Sequence, residues 1–200
     1  MNRDTRQTRD APAEFKTREE EAGRVIEGYF VVFDRETELF PGAFERIAPG
    51  AFGELAGCDV RALNNHNTSA VLGRTKARTL TLRADSYGLW GSVLVNDDDA
   101  EAMSLYARVK RGDVDQCSFG FDITSEETEF REDGSIHWNI TGVTLYEVSV
   151  CTFPAYGETS VQARMAQAEQ LRGKALTARR MKLQERMKKL AQTAENSQTD

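Results

Sequence analysis

Three side chains of the kinds that cooperate in acyl transfer stand far apart in this 200-residue sequence: His66, Ser118 and Glu147. A serine hydroxyl attacks a carbonyl poorly until an imidazole takes its proton. The imidazole works best when a third group holds its tautomer and offsets its charge. His66 lies in Leu63-Asn64-Asn65-His66-Asn67-Thr68-Ser69, a polar loop that leaves a histidine accessible. Ser118 sits among large apolar neighbours in Gln116-Cys117-Ser118-Phe119-Gly120-Phe121, where Gly120 permits close approach of another backbone or a substrate. Glu147 interrupts the apolar run Leu145-Tyr146-Glu147-Val148-Ser149-Val150, and a carboxylate on the core side of such a strand needs a partner. His137, in Gly134-Ser135-Ile136-His137-Trp138, is the alternative third member. Cys117 is a competing nucleophile, but strand neighbours point to opposite faces, so Cys117 and Ser118 cannot both face His66. Taken singly, each residue also has a plain explanation: a turn histidine, a hydrogen-bonded core serine, a rim carboxylate paired with an arginine. Spacing does not choose between these readings, and the surroundings of Ser118 are not the G-x-S-x-G elbow of α/β-hydrolases.

Composition narrows the other classes. With 29% charged and 40% hydrophobic residues, the chain fits one ordinary domain with tails. A mean hydropathy of -0.55 and the lack of a long apolar run argue against a membrane span. The first 21 residues have no apolar stretch of the secretory type. Three cysteines, Cys58, Cys117 and Cys151, without paired spacing argue for a reducing compartment and against a disulfide framework or a CxxC zinc site. Two histidines rule out a three-histidine metal site, and Asp97-Asp98-Asp99 at a helix start is better explained as capping, so no metal or other cofactor is expected. The net charge of -6 divides unevenly, for Val161–Asp200 holds nine basic and four acidic residues while the rest holds 17 and 28. An acidic body with a basic tail does not suit specific nucleic-acid binding.

The elements that must position these residues are mostly strands. Residues 1–21 are polar and charged and form an expected flexible arm. Arg24–Phe33 is β-branched and aromatic and predicts a strand. Two Pro-Gly turns follow, at Pro41-Gly42 and Pro49-Gly50, with a short helix possible after the second. Strands are predicted at 58–64 and 70–74 around His66, and a hairpin at 79–84 and 87–95. Asn96-Asp97-Asp98-Asp99 caps a helix to about Lys110, with Ala102, Met103, Leu105, Tyr106 and Val109 on one face and Gly112 as its stop. Further strands are predicted at 115–124, 135–144 and 146–152. Residues 158–195 carry a long basic helical pattern with periodic Leu and Met, and 196–200 a disordered end. The expected class is α+β: a mostly antiparallel β-barrel core flanked by helices, with a long C-terminal helix.

The ordered set of local patterns resembles the prohead maturation proteases of tailed bacteriophages, capsid-associated serine proteases distantly similar in fold to herpesvirus assemblin. The matching stretches are Gly28-Tyr29 with Val32-Phe33, Ile47-Ala48-Pro49-Gly50-Ala51-Phe52, Asp59–Leu63 leading to His66, and Val71-Leu72-Gly73-Arg74. Then follow Thr79-Leu80 with Leu82, Gly88-Leu89, Arg111–Val114, Ser118–Phe121, and Leu145–Val150 through Phe153–Tyr156. They run in family order from about residue 22 to 164. The sequence departs from the pattern at Lys76-Ala77-Arg78 and at Cys117.

The resemblance implies a protease domain over 22–157, with His66 as base and Ser118 as nucleophile. It favours Glu147 over His137 as third member. Gly73 and Arg74 are the candidate oxyanion donors. The implied substrates and partners are the major capsid protein precursor and scaffolding protein, with self-cleavage, inside the immature prohead in the host cytoplasm. The 158–195 helix would then carry the protease to capsid or scaffold helices, cap the domain or self-associate. The alternative is an inactive capsid-assembly scaffold on the same fold, which would have no need to keep both His66 and Ser118.

Overall fold

The computed structural model describes residues 7–12, 14–20, 23–153 and 158–196, the side chains of 10–12, 158–163 and 190–196 excepted. It divides into two units, residues 1–161 and 162–200. The first is α+β and strand-rich, and the second consists of a helical segment.

Two sheets build the first unit. The four-stranded sheet has the order β2-β3-β9-β8, all antiparallel: β2 (Lys16–Glu20), β3 (Gly23–Val32), β8 (Leu80–Ala84) and β9 (Gly88–Leu94). The seven-stranded sheet contains β1 (Gln7–Pro12), β10 (Gln116–Phe130), β11 (Ile136–Cys151), β5 (Ala43–Ile47) and β4 (Thr37–Phe40) in that order. The hairpin of β6 (Arg61–Asn64) and β7 (Asn67–Arg74) joins it along the C-terminal half of β11. Pairing is antiparallel except where β11 runs parallel to β5 and to β6.

The sheets share an apolar core. Ile26, Phe30, Leu89 and Val93 of the smaller sheet meet Cys117, Phe119, Phe121, Val148 and Val150 of the larger one. Alternation explains this: Cys117, Phe119 and Phe121 take the inner side of β10. α1 (Ala100–Arg111) seals the core with Ala102, Leu105, Tyr106 and Val109. Leu105 is fully buried, which is worth roughly 2 kcal/mol for a side chain of its size. Asp99 caps the helix by accepting from Glu101 N and Ala102 N at 2.9 and 3.2 Å. Gly112 ends it in the left-handed region with φ 86°.

Several expectations change. The strands form two sheets rather than a closed barrel among the described residues, because β8 pairs with β9 and β4 with β5 and no described pairing joins the sheets. Residues 7–12 and 16–20, expected in a flexible arm, are strands, since the edges of β10 and β3 satisfy their backbone groups. No helix follows Pro49-Gly50; turns run from there towards Cys58. The two strands expected at 135–144 and 146–152 are one continuous β11.

α2 (Glu158–Asn196) spans the helical pattern of the C-terminal region. Its Leu176, Met181, Leu183 and Met187 are exposed. No described helix is long and apolar enough to cross a membrane. The expected end at 196–200 lies outside the described residues beyond Asn196.

Candidate active site

β10 and β11 place Ser118 directly opposite Ser149 and Gly120 directly opposite Glu147. Paired residues of an antiparallel ladder share a face, so these four project together, away from Phe119 and Val148. Cys117 points the other way, with Sγ 3.3 Å from the Phe30 carbonyl oxygen.

β6 brings the histidine. It runs parallel to β11 with Leu63 beside Ser149 and Asn64 beside Val150. The chain then reverses through a two-residue turn, Asn65-His66, where Asn64 and Asn67 pair. Both turn residues are left-handed, with φ 49° and 58°. That is the backbone of a type I′ hairpin turn, in which asparagine is welcome first and glycine second. A histidine at the second position is strained, and such strain persists where the surroundings over-determine it. Asn65 N–H donates to Val150 O at 3.0 Å, and Asn65 Oδ1 accepts from Thr152 N at 2.8 Å. His66 N–H donates to Ser149 Oγ at 3.2 Å. The turn is thereby fastened to β11, and the imidazole swings over the face that carries Glu147.

His66 Nδ1 lies 2.7 Å from Glu147 Oε1. A carboxylate only accepts, so Nδ1 carries a proton, and in the neutral ring the lone pair is then on Nε2. Glu147 is buried at 5% exposure, and its other oxygen accepts from Ser149 Oγ at 2.7 Å. Each carboxylate oxygen therefore has a partner, which a buried charge requires. Gly120 has a different role from the one its sequence suggests: a Cβ there would stand 2.5 Å from Glu147 Oε1, so the missing side chain houses the carboxylate.

Ser118 is fully buried, and its hydroxyl donates to the carbonyl oxygen of Arg9 at 3.0 Å. A hydroxyl has one proton, so in this arrangement it is directed to the arm strand β1.

The other candidates lie elsewhere. His137 is ten residues from Glu147 on the same strand, roughly 30 Å at strand rise. Its Nδ1 is 2.7 Å from Glu36 Oε1, its Nε2 is 2.9 Å from Ser135 Oγ, and its ring stacks on Phe44. That hydrogen bond from His137 holds the Glu36 carboxyl below its ordinary pKa. Gly73 and Arg74 are on β7, beyond β6 and β11 from β10, about 14 Å away at three strand spacings. Arg74 N–H donates to Thr79 Oγ1 at 2.9 Å, and its guanidinium clamps Asp59 at 2.7 Å through both Nε and Nη2. No group of His, Cys, Asp and Glu able to hold a metal occurs among the described residues.

The family of caudovirus prohead serine proteases matches residues 12–173. The chain belongs to that family. The prohead protease of Enterobacteria phage HK97 is 28% identical over 143 residues, covering 70% of this chain. The chain spans 59% of the length of that curated relative. The structure of the bacteriophage T4 capsid assembly protease aligns with a TM-score of 0.45 at 12% identity, over 74% of this chain and 97% of the other.

Sequence reasoning passed over three residues of this family member's site region. Ser149 ties His66 to Glu147, and its signal is the period-two spacing Glu147-x-Ser149. Arg9 reaches Ser118 from a segment whose composition suggests disorder. Glu45, buried at 4% exposure, holds the Arg9 side chain. Its signal is an acid at an inward position between Ala43 and Ile47.

Proposed function

We propose that the chain is a serine endopeptidase with Ser118 as nucleophile, His66 as general base and Glu147 as the carboxylate that orients the imidazole. The observation that carries this reading is the 2.7 Å bond between His66 Nδ1 and Glu147 Oε1, made above the sheet face on which Ser118 projects. His66 Nε2 takes the Ser118 proton as Oγ adds to a peptide carbonyl. The protonated imidazole, facing the Glu147 charge, returns that proton to the departing amine. Water then attacks the acyl-serine with the same base, releasing the acid and restoring Ser118. The role of the third member goes to Glu147, because His137 is engaged with Glu36 and Ser135. Gly73 and Arg74 gain no support as oxyanion donors.

Membership in the prohead protease family supports action inside the immature prohead of an infected cell, where we assign capsid and scaffolding proteins as its substrates. Self-cleavage fits the arm strand that already lies at Ser118. Leu176, Leu183 and Met187 recur at helical spacing on one exposed face of α2, which suits docking on helices of capsid or scaffold.

Co-expression with a capsid precursor tests the reading by intact mass. Wild type should shorten the precursor, and Ser118→Ala should leave it whole. Equal shortening by both would remove Ser118 from the mechanism.

A further inference from the structure

β1 is an edge strand whose described side-chain anchor is Arg9. Its sequence, Gln7-Thr8-Arg9-Asp10-Ala11-Pro12, brings no large apolar side chain. It adds to the outer edge of the strand that carries the nucleophile, antiparallel, with Arg9 opposite Phe119 and Asp10 opposite Ser118. This is how extended peptides are recognised: backbone ladder for affinity, side-chain pockets for choice. The Arg9 carbonyl oxygen accepts a hydrogen bond from the Ser118 hydroxyl, so a peptide group of the arm already stands against Oγ where a substrate peptide must come.

The Arg9 side chain supplies the pocket. Its Nε and Nη2 reach Glu45 Oε1 and Oε2 at 2.5 and 3.1 Å, a fork-on-fork pair. The guanidinium carbon lies 5.8 Å from the Phe121 ring centroid, within cation–π reach. Glu45 is 4% exposed on the inner side of β5, between the buried Ala43 and Ile47. A carboxylate so placed is costly without a cation, and Arg9 of the edge strand β1 supplies one. Lysine would offer one point charge where the site presents a planar fork.

We infer that Glu45 and Phe121, on the inner face of the sheet and thus opposite the face that carries the Ser118 hydroxyl, form a guanidinium-selective pocket for a substrate residue whose backbone lies along the Ser118 strand, and that Arg9 fills it as an intramolecular stand-in for a substrate arginine. The arm strand thus occupies the peptide groove, and a substrate must displace it. The inference rests on the protease reading for its link to cleavage, but not for the binding itself.

The test uses the full chain with Ser118→Ala and Arg9→Ala together, so that the groove can be vacated and nothing is cut. A fluorescent peptide of the sequence Thr5–Glu14 is titrated by anisotropy, against the same peptide with citrulline or leucine in place of its second arginine. The arginine peptide should bind at least tenfold tighter than either, and adding Glu45→Gln should erase that difference. Equal affinity of the three peptides would overturn the pocket, whether or not the Glu45 variant folds. Turnover is assayed separately in chains with Ser118 intact. Arg9→Ala should raise kcat/KM on an arginine-containing peptide severalfold while keeping its preference over the leucine analogue. Loss of that preference in Arg9→Ala would also refute the pocket. If no peptide is cut by any chain while the binding difference persists, the protease reading fails and the pocket stands.

Discussion

Gly120 vacates the volume that the Glu147 carboxylate fills, with a notional Cβ 2.5 Å from Oε1 and 3.1 Å from the carboxyl carbon. Gly120→Ala must therefore push Glu147 away from His66. Displacements of about 1 Å in a catalytic group cost on the order of 100-fold in rate. We expect kcat/KM on a peptide substrate to fall by about that factor while the variant still unfolds cooperatively, with stability lowered by about 1–3 kcal/mol from overpacking. Activity within twofold of wild type would show that the carboxylate's position is immaterial.

Glu147→Gln keeps the shape but can stabilise the wrong imidazole tautomer. A comparable amide replacement in a serine-protease triad lowers kcat about 10⁴-fold, and a loss of roughly 10³–10⁴ is expected. Ser149→Ala removes two hydrogen bonds that steady the pair, at 2.7 and 3.2 Å. At about 1 kcal/mol for each, it should cost on the order of 10- to 30-fold. Steady-state kinetics on folded variants ranks the two; a larger loss from Ser149→Ala would contradict the assigned roles.

His137→Gln separates structure from chemistry. Glu36 and Ser135 lose their shared partner, so urea unfolding should show a loss of about 1–2 kcal/mol. Peptide turnover should remain within about twofold. A hundredfold loss of kcat with unchanged stability would move the third role to His137.

Acid should release the Asp59–Arg74 clamp. The Arg74 guanidinium hydrogen-bonded to Asp59 holds that carboxyl well below the usual aspartate range. A depressed carboxylate contributes stability that is complete above its unfolded pKa, about 3.9, and is lost as pH falls towards the folded value. Thermal melts of wild type and Asp59→Asn should differ by a constant amount above about pH 5 and converge below about pH 4. A difference that grows on acidification would reverse the sign and refute the clamp.

Much of the fold was legible because its signals are local. The cap at Asp99, the apolar face of α1 and the stop at Gly112 all sit within a few residues of what they control. So do the alternation of β10 and the hairpin of β8 and β9. The arm's strand is not legible locally because Gln7–Pro12 has no large apolar side chain. It becomes a strand only where the edge of β10, more than a hundred residues later, satisfies its backbone. The barrel failed for a similar reason, since closure depends on which edges meet.

The sequence by itself determined the residue types available for acyl transfer, the short segments that hold them and the face each would take on its own strand. The tertiary structure decided their company. Register between β6, β11 and β10 sets Ser149 beside both Leu63 and Ser118, joining segments that lie 81 residues apart at His66 and Glu147. It separates His137 from Glu147, although one strand carries both. The physical reason is that side-chain direction within a strand follows from backbone geometry over two residues, whereas register is chosen by the packing of the whole core.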